Sequence, residues 1–361
     1  MRIDRQIAFW VAVLVAGLLF LYIFRSILLP FVGGMAMAYL LDPLADWFQR
    51  RGMNRLAATM TIMALSVVVL VALLVVVLPV VVNQVGLLVA NMPTYVGRLD
   101  ELVNSVLQSS WAESIGVDPG AVKSSLGGYL SQGLTWAGTL AGSILSGGVA
   151  FINILALLVV APVVAFYLLY DWDRMIGQID SWLPRDHAET IRALAREMDK
   201  VIAGFVRGQA LVGLTLGIFY ATGLVILGIN FGFLIGLVAG LISFVPYLGS
   251  TLGFIASVGI ALLQFWPDWI WPVAAAGLFV TGQLLEGYVL QPFFIGNNVG
   301  LHPVWLMFAL FAFGLLFGFV GLLVAIPAAA AVGVLVRFAL HRYLASPIYR
   351  GGTEEPGSPE T

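Results

Sequence analysis

Residues 281–304 read TGQLLEGYVLQPFFIGNNVGLHPV and hold one carboxylate, Glu286, with Gln283 one helical turn before it. An uncharged run containing Gln291, Pro292, Gly296, Asn297 and Asn298 follows. A carboxylate among apolar residues can carry a proton or a cation, and neutral amides can hydrogen-bond a polar solute. Between Val201 and Val336 the other charged residues are Arg207 and Asp268. Asp268 sits in FWPDWIW beside Trp266, Trp269 and Trp271, which reads as a solvated loop in an interfacial aromatic belt. An ion at the centre of a bilayer costs roughly 2.5–3.5 kcal/mol on insertion scales, so Arg207 and Glu286 must be paired or face water. Helical rise places Arg207 roughly 10 Å from a boundary at Lys200, and Glu286 roughly 25 Å down from Trp269. These depths are similar, so the two charges are expected to pair or to share a polar cavity with Gln209 and Gln283. In the alternative, each snorkels separately to the cytoplasmic interface.

Two interruptions flank these residues. In QPFFIGNNVGLHP, Pro292 and Pro303 break a helix, while Gly296 and Gly300 loosen it. Non-helical backbone at membrane depth is tolerated only inside protein or beside water. Gln291, Asn297 and Asn298 suit a neutral polar solute or a cation held by carbonyls, although an ordinary cytoplasmic turn would look similar. In FVPYLGS (244–250), Pro246 ends a helix and frees carbonyls near Ser243, and Tyr247, Gly249 and Ser250 fill a tight turn. Gly213, Gly217 and Gly223 are read as helix-packing positions.

The elements that position these residues must be membrane helices. Of 361 residues 61% are hydrophobic and 10% charged, and the mean hydropathy is +1.01. Soluble domains are about a quarter charged, so the natural solvent is lipid and the lipid bilayer is the first partner. The net charge of −2 argues against nucleic acid. With no cysteine there is no disulfide or thiol chemistry. Three histidines without a metal-binding run imply no metal, and two lysines outside any phosphate loop imply no ATP motor. No cofactor is expected, apart from coupling to protons or sodium ions.

A crossing needs about 20 apolar residues. Candidate spans cover 7–24, 27–44, 57–82, 144–170, 204–228, 231–245, 251–266, 269–290, 303–319 and 321–340. The expected fold is all-α and polytopic, with about eight transmembrane helices and re-entrant or broken hairpins in the C-terminal half. Either the pair joined by PYLGS or the pair joined by GFVG could form a hairpin. FGFLIGLVAGLISFVP (231–246) and FGLLFGFVGLLVAIP (313–327) also share Phe, Gly, Leu, Gly, Val, Gly, Leu and Pro in order. A true duplication would mark two interrupted segments, a pattern common at transporter sites.

Lys and Arg set orientation. Arg2 and Arg5, then Arg50, Arg51 and Arg55, then Arg174 to Lys200, then Arg337, Arg342 and Arg350 all fall on one side when the spans alternate. Both termini are therefore expected in the cytoplasm. The expected organisation is N-terminal spans 1–83, an extracytoplasmic amphipathic segment 84–142 and a span 143–170. A cytoplasmic helical segment 171–203, a transport core 204–343 and a disordered tail 344–361 complete it.

The ordered set FVRGQ (205–209), FVPYLGS (244–250), QLLEGYVLQPFFIG (283–296), LHPVW (301–305) and GFVGLLVAIPAAA (318–330) resembles the AI-2E, or autoinducer-2 exporter, family of bacterial inner-membrane proteins. The matching positions are Arg207, Gln209, Pro246, Tyr247, Gly249, Glu286, Gln291, Pro292, Gly296, His302, Pro303 and Pro327. The resemblance implies a multi-pass carrier, acting as a homo-oligomer, whose broken C-terminal helices form the transport site. It implies export of a small polar solute such as the quorum-sensing signal autoinducer-2, or alternatively sodium/proton antiport.

From the residues, the leading expectation is a secondary transporter of a small polar solute or monovalent cation working by alternating access. Glu286 would be protonated or cation-bound in one state and paired with Arg207 in another. Glu286, Arg207, Gln283 and Gln209 would couple the ion. Pro246, Tyr247, Gly249, Ser250, Gln291, Pro292, Asn297 and Asn298 would line the solute site. An intramembrane hydrolase lacks a nucleophile elbow, and the chain is not expected to be an enzyme. A non-transporting membrane scaffold is the rival of a different class.

Overall fold

Leu, Val, Ala and Ile side chains offer the backbone no hydrogen bonds, so in oil the chain must satisfy itself internally, as a helix does. The computed structural model describes residues 3–107, 149–296 and 302–350, with Gly128, Gln132, Thr135 and Thr139. Among these there is no strand. The helices are α1 (Ile3–Ile23), α2 (Leu28–Arg50), α3 (Arg55–Leu107), α4 (Val149–Ser181) and α5 (Ala188–Ile226). They continue as α6 (Gly232–Ile242), α7 (Leu248–Phe265), α8 (Ile270–Leu285), a π-helical segment (Glu286–Ile295), α9 (Pro303–Ala345) and a final turn, α10 (Pro347–Arg350). Among the described residues, six helical stretches are long and apolar enough to cross a membrane: Leu28–Arg50, Arg55–Asn91, Arg185–Ile226, Leu248–Phe265, Ile270–Ile295 and Pro303–Ala345. The chain is an all-α, polytopic membrane protein.

Both suspected hairpins are present. With 11 residues, α6 is roughly 16 Å long, too short for a hydrocarbon core of about 30 Å. It turns at Ser243–Tyr247 into α7. In α9 the chain folds back at Gly318, whose φ of 61° and ψ of −138° are open to glycine at no steric cost. A Cβ on Gly321 would lie 1.8 Å from the Phe313 carbonyl oxygen, so the two arms touch backbone to backbone. The suspected duplication does not survive. Residues 231–246 form one helix and its end, whereas 313–327 straddle the Gly318 turn, with Pro327 inside the second arm. Shared Gly, Leu and Val reflect the common needs of close helix packing.

The chain forms two compact units. One comprises Leu29–Tyr170 and Arg207–Phe294. In it Ala38 and Ala45 of α2, Ile62 and Met63 of α3, and Ala165 and Leu169 of α4 make one buried cluster. Arg55 closes its end: Nε donates to the Leu169 carbonyl at 2.7 Å, and Nη1 donates to Gln49 Oε1 at 2.9 Å and Asp46 Oδ1 at 3.2 Å. Nη2 lies 3.4 Å from Asp42. Charge-assisted bonds contribute roughly 1.5–3 kcal/mol each when shielded and less when exposed. Arg55→Met keeps the aliphatic stem and is expected to destabilise the protein by about 2 kcal/mol, read as a lower unfolding temperature in detergent.

Within the same unit α3 runs unbroken past residues 83–84, where a separate surface segment was expected to begin. Its far end docks onto one rim of α5–α7, where α5 passes into α6 and α7 ends. Leu234 N donates to Gln84 Oε1 at 3.0 Å, Asn230 Nδ2 donates to the Tyr95 hydroxyl at 3.1 Å, and Tyr95 packs edge-on against Phe231. Arg98 donates to the Leu263 and Gln264 carbonyls at the end of α7, where a cation suits the unpaired C-terminal carbonyls.

The other unit comprises Met1–Leu28, Asp171–Val206 and Ile295–Thr361. Val201 packs with Ala330 and Val334, flanked by Leu194 and Met198, which gives that helix one apolar face. Asp180 accepts two bonds from Arg192, at 2.6 and 2.8 Å, and this guanidinium holds its carboxyl below the usual carboxylate range. The pair therefore contributes above that range and fades as pH falls through it.

Candidate functional site

Gln209, Val212, Leu216, Tyr220 and Leu224 are fully buried, and their spacing of three or four puts them on one face of α5. Glycine lets neighbours approach this helix. A Cβ on Gly213 would lie 2.8 Å from the Gly240 carbonyl oxygen of α6, and one on Gly236 would lie 2.1 Å from Ala221 N. On α8, Leu278 sits over Gly223 and Tyr220 over Gly282, which fixes α5 and α8 as antiparallel neighbours. Gly213, Gly217 and Gly223 are packing positions, as expected.

Glu286, only 2% exposed, begins the π-helical segment. Gln283 Nε2 donates to its Oε2 at 3.3 Å, and Gln291 Nε2 donates to its Oε1 at 3.2 Å. The second contact depends on the π geometry. In an α-helix the fifth residue on lies roughly 140° around the axis, whereas the wider i→i+5 turn brings it over the first. Pro292 was expected to break the helix but lies inside this segment. It removes one backbone donor, and the chain accommodates it by widening rather than by ending. Pro303 instead opens α9, capped by His302, whose Nδ1 accepts from Val304 N at 3.4 Å.

Tyr220 stacks on Phe279, ring centroids 4.2 Å apart and 14° from parallel. Its hydroxyl is buried without a hydrogen-bond partner among the described residues, a condition that costs roughly 1–3 kcal/mol. It lies over Gly282, one turn before Glu286.

A second polar centre lies at the end of α6. Gln209 Nε2 donates to the Ser243 carbonyl, Ser243 Oγ donates to Ala239 O at 2.7 Å, and Gln209 Oε1 has no hydrogen-bond partner among the described residues. Tyr247 takes a left-handed backbone, φ 66°, and its side chain is 57% exposed. Buried Ser250 donates to the Tyr247 carbonyl at 3.3 Å, and a Cβ on Gly249 would meet Ala239 O at 2.2 Å. Pro246 is half-buried in the turn. Gln209 and Tyr220 share a face of α5 but stand roughly 16 Å apart. The expected single cavity is therefore two polar stations on one stripe. Asn297 and Asn298 lie outside the described residues.

The expected Arg207–Glu286 pair is not formed. Arg207 Nε donates to the Tyr39 carbonyl at 2.7 Å, and Nη2 lies 3.5 Å from Asp42 of α2. With Tyr220 opposite Gly282, Glu286 falls roughly 13 Å from Arg207 along the helices. The depth counts started from separate anchors, Lys200 and Trp269, and the packing register between α5 and α8 replaces both. Sequence reasoning passed over Asp42, which lies inside the 27–44 span, and Tyr220, lost among apolar neighbours. The eleven-residue interval from Gln209, three helical turns, was the available signal for Tyr220.

An all-helical, multi-pass membrane protein with a buried acid on an interrupted helix is the setting into which the comparisons with known proteins fit. The chain belongs to the AI-2E transporter family, which it matches over residues 11–341. It is 27% identical to YrrI of Bacillus subtilis, named as a transport protein, across 92% of this chain and 96% of that one. It is 29% identical to PerM of Escherichia coli K12, named as a permease, across 90% of each chain. Membrane transport is the role that this membership supports.

Proposed function

We propose that the protein is a secondary transporter that moves a small polar solute, of the autoinducer-2 kind, across a bacterial inner membrane by alternating access. What carries this reading is Glu286, a buried carboxylate held by two amides on a π-helical interruption between α8 and α9. Functional π segments recur where a helix must change register. Conversion of this one to α-helix would swing Gln291 away from Glu286 and open the carboxylate to a ligand. The Gln209–Ser243 station is a second stop along the α5 stripe. A buried acid could equally exchange protons for sodium, so the test has arms for both. Purified protein in proteoliposomes is supplied with radiolabelled erythritol, a four-carbon tetrol, and separately with sodium and pH gradients. Saturable erythritol flux that Glu286→Gln removes supports the solute reading, flux in the ion arms alone supports antiport instead, and equal flux in variant and wild type refutes both.

A further inference from the structure

We propose that the Tyr220 hydroxyl is a ligand-contacting group that acts with Glu286 to recognise a hydroxyl on the transported solute. This rests on the transport reading above and deepens it. Tyr220 is wholly buried, and its hydroxyl has no hydrogen-bond partner among the described residues. The neighbouring positions of its stripe, Leu216 and Leu224, are apolar and equally buried. A phenylalanine would fill the same space and keep the stack on Phe279 without stranding a polar atom, so packing does not call for the oxygen. The ring edge that carries the hydroxyl packs directly on Gly282, where a Cβ would lie 2.3 Å from Tyr220 Cε1. A Cβ on Gly282 would lie 2.4 Å from that oxygen, so glycine there leaves the hydroxyl room.

Gly282 is one turn before Glu286, so the hydroxyl and the carboxylate face one region of α8. Each Glu286 oxygen accepts one amide N–H and keeps a further lone pair. Tyr220 supplies one donor and one acceptor. Together they offer a solute hydroxyl both an acceptor for its proton and a donor for its oxygen. A bare proton needs only the carboxylate and leaves the phenol unpaired. The site is therefore specific for hydroxyl-bearing neutral molecules, with Tyr220 discriminating and Glu286 anchoring.

The test compares Tyr220→Phe with wild type and Glu286→Gln in proteoliposomes, using radiolabelled erythritol as probe, with the unfolding temperature measured for each. Tyr220→Phe is expected to unfold at the same temperature or higher, while its KM for erythritol rises about tenfold. An unchanged KM overturns the proposal, and so does a lowered unfolding temperature, which would make the hydroxyl structural. If Glu286→Gln loses flux while Tyr220→Phe keeps it, this proposal fails and the transport reading stands. If wild type moves no erythritol, the hydroxyl recognition fails whatever the ion arms show.

Discussion

Gly236→Ala is expected to cost about 3 kcal/mol of stability and most of the transport activity. Its new Cβ would fall 2.1 Å from Ala221 N and 2.3 Å from Ala221 Cα. These are backbone atoms of a continuous helix and cannot rotate aside, so α5 and α6 must part by about an ångström. Overpacking a core costs typically 1–3 kcal/mol even where side chains can yield, and here they cannot. The neighbouring Tyr220 carbonyl carbon, 2.6 Å from the same Cβ, would move with α5 and take the polar stripe with it. Unfolding temperature in detergent and flux in proteoliposomes should fall together. Gly259→Ala and Gly277→Ala are the controls. Their Cβ atoms meet nothing within 4 Å, so each should be neutral or stabilising by up to about 1 kcal/mol.

Glu286→Gln should lower flux on the order of 100-fold, about 2.7 kcal/mol in the barrier, with the fold retained. The substitution keeps the side chain's length and removes its charge. Gln283 and Gln291 both present amide N–H groups to the two carboxylate oxygens. A glutamine offers one oxygen and one NH2, so one of the two contacts becomes donor against donor and must rearrange. Losing a buried charge offsets that rearrangement, so the unfolding temperature should stay within a few degrees of wild type. In the pH-gradient arm wild-type flux should follow a single titration, and the variant's should be flat. Undiminished flux with wild-type pH dependence would remove Glu286 from the mechanism.

Much of the architecture was legible in the chain. Low charge and long apolar runs name the solvent, and in oil that leaves helices as the only economical backbone. Gly318 and the Ser243–Tyr247 break were visible as hairpin turns, because proline and glycine change the backbone locally wherever they occur. Glu286 stood out for the same reason: a lone acid in an apolar helix needs no neighbour to be conspicuous.

What the chain could not declare was the partner of each polar group. Arg207 and Glu286 look matched when depth is counted from the nearest boundary. Yet Asp42, 165 residues earlier, stands beside the guanidinium. Gln283 and Gln291 instead hold the carboxylate, the latter because ten residues wind as a π-helix. Burial follows from periodicity, which is a property of one helix at a time. Pairing follows from the register between helices, set here by glycine contacts of α5 with α6 and α8, and a shift of one turn would exchange every partner. Tertiary packing alone decided that Tyr220 lies over Gly282, one turn from the acid, while Arg207 turns to Tyr39 and Asp42.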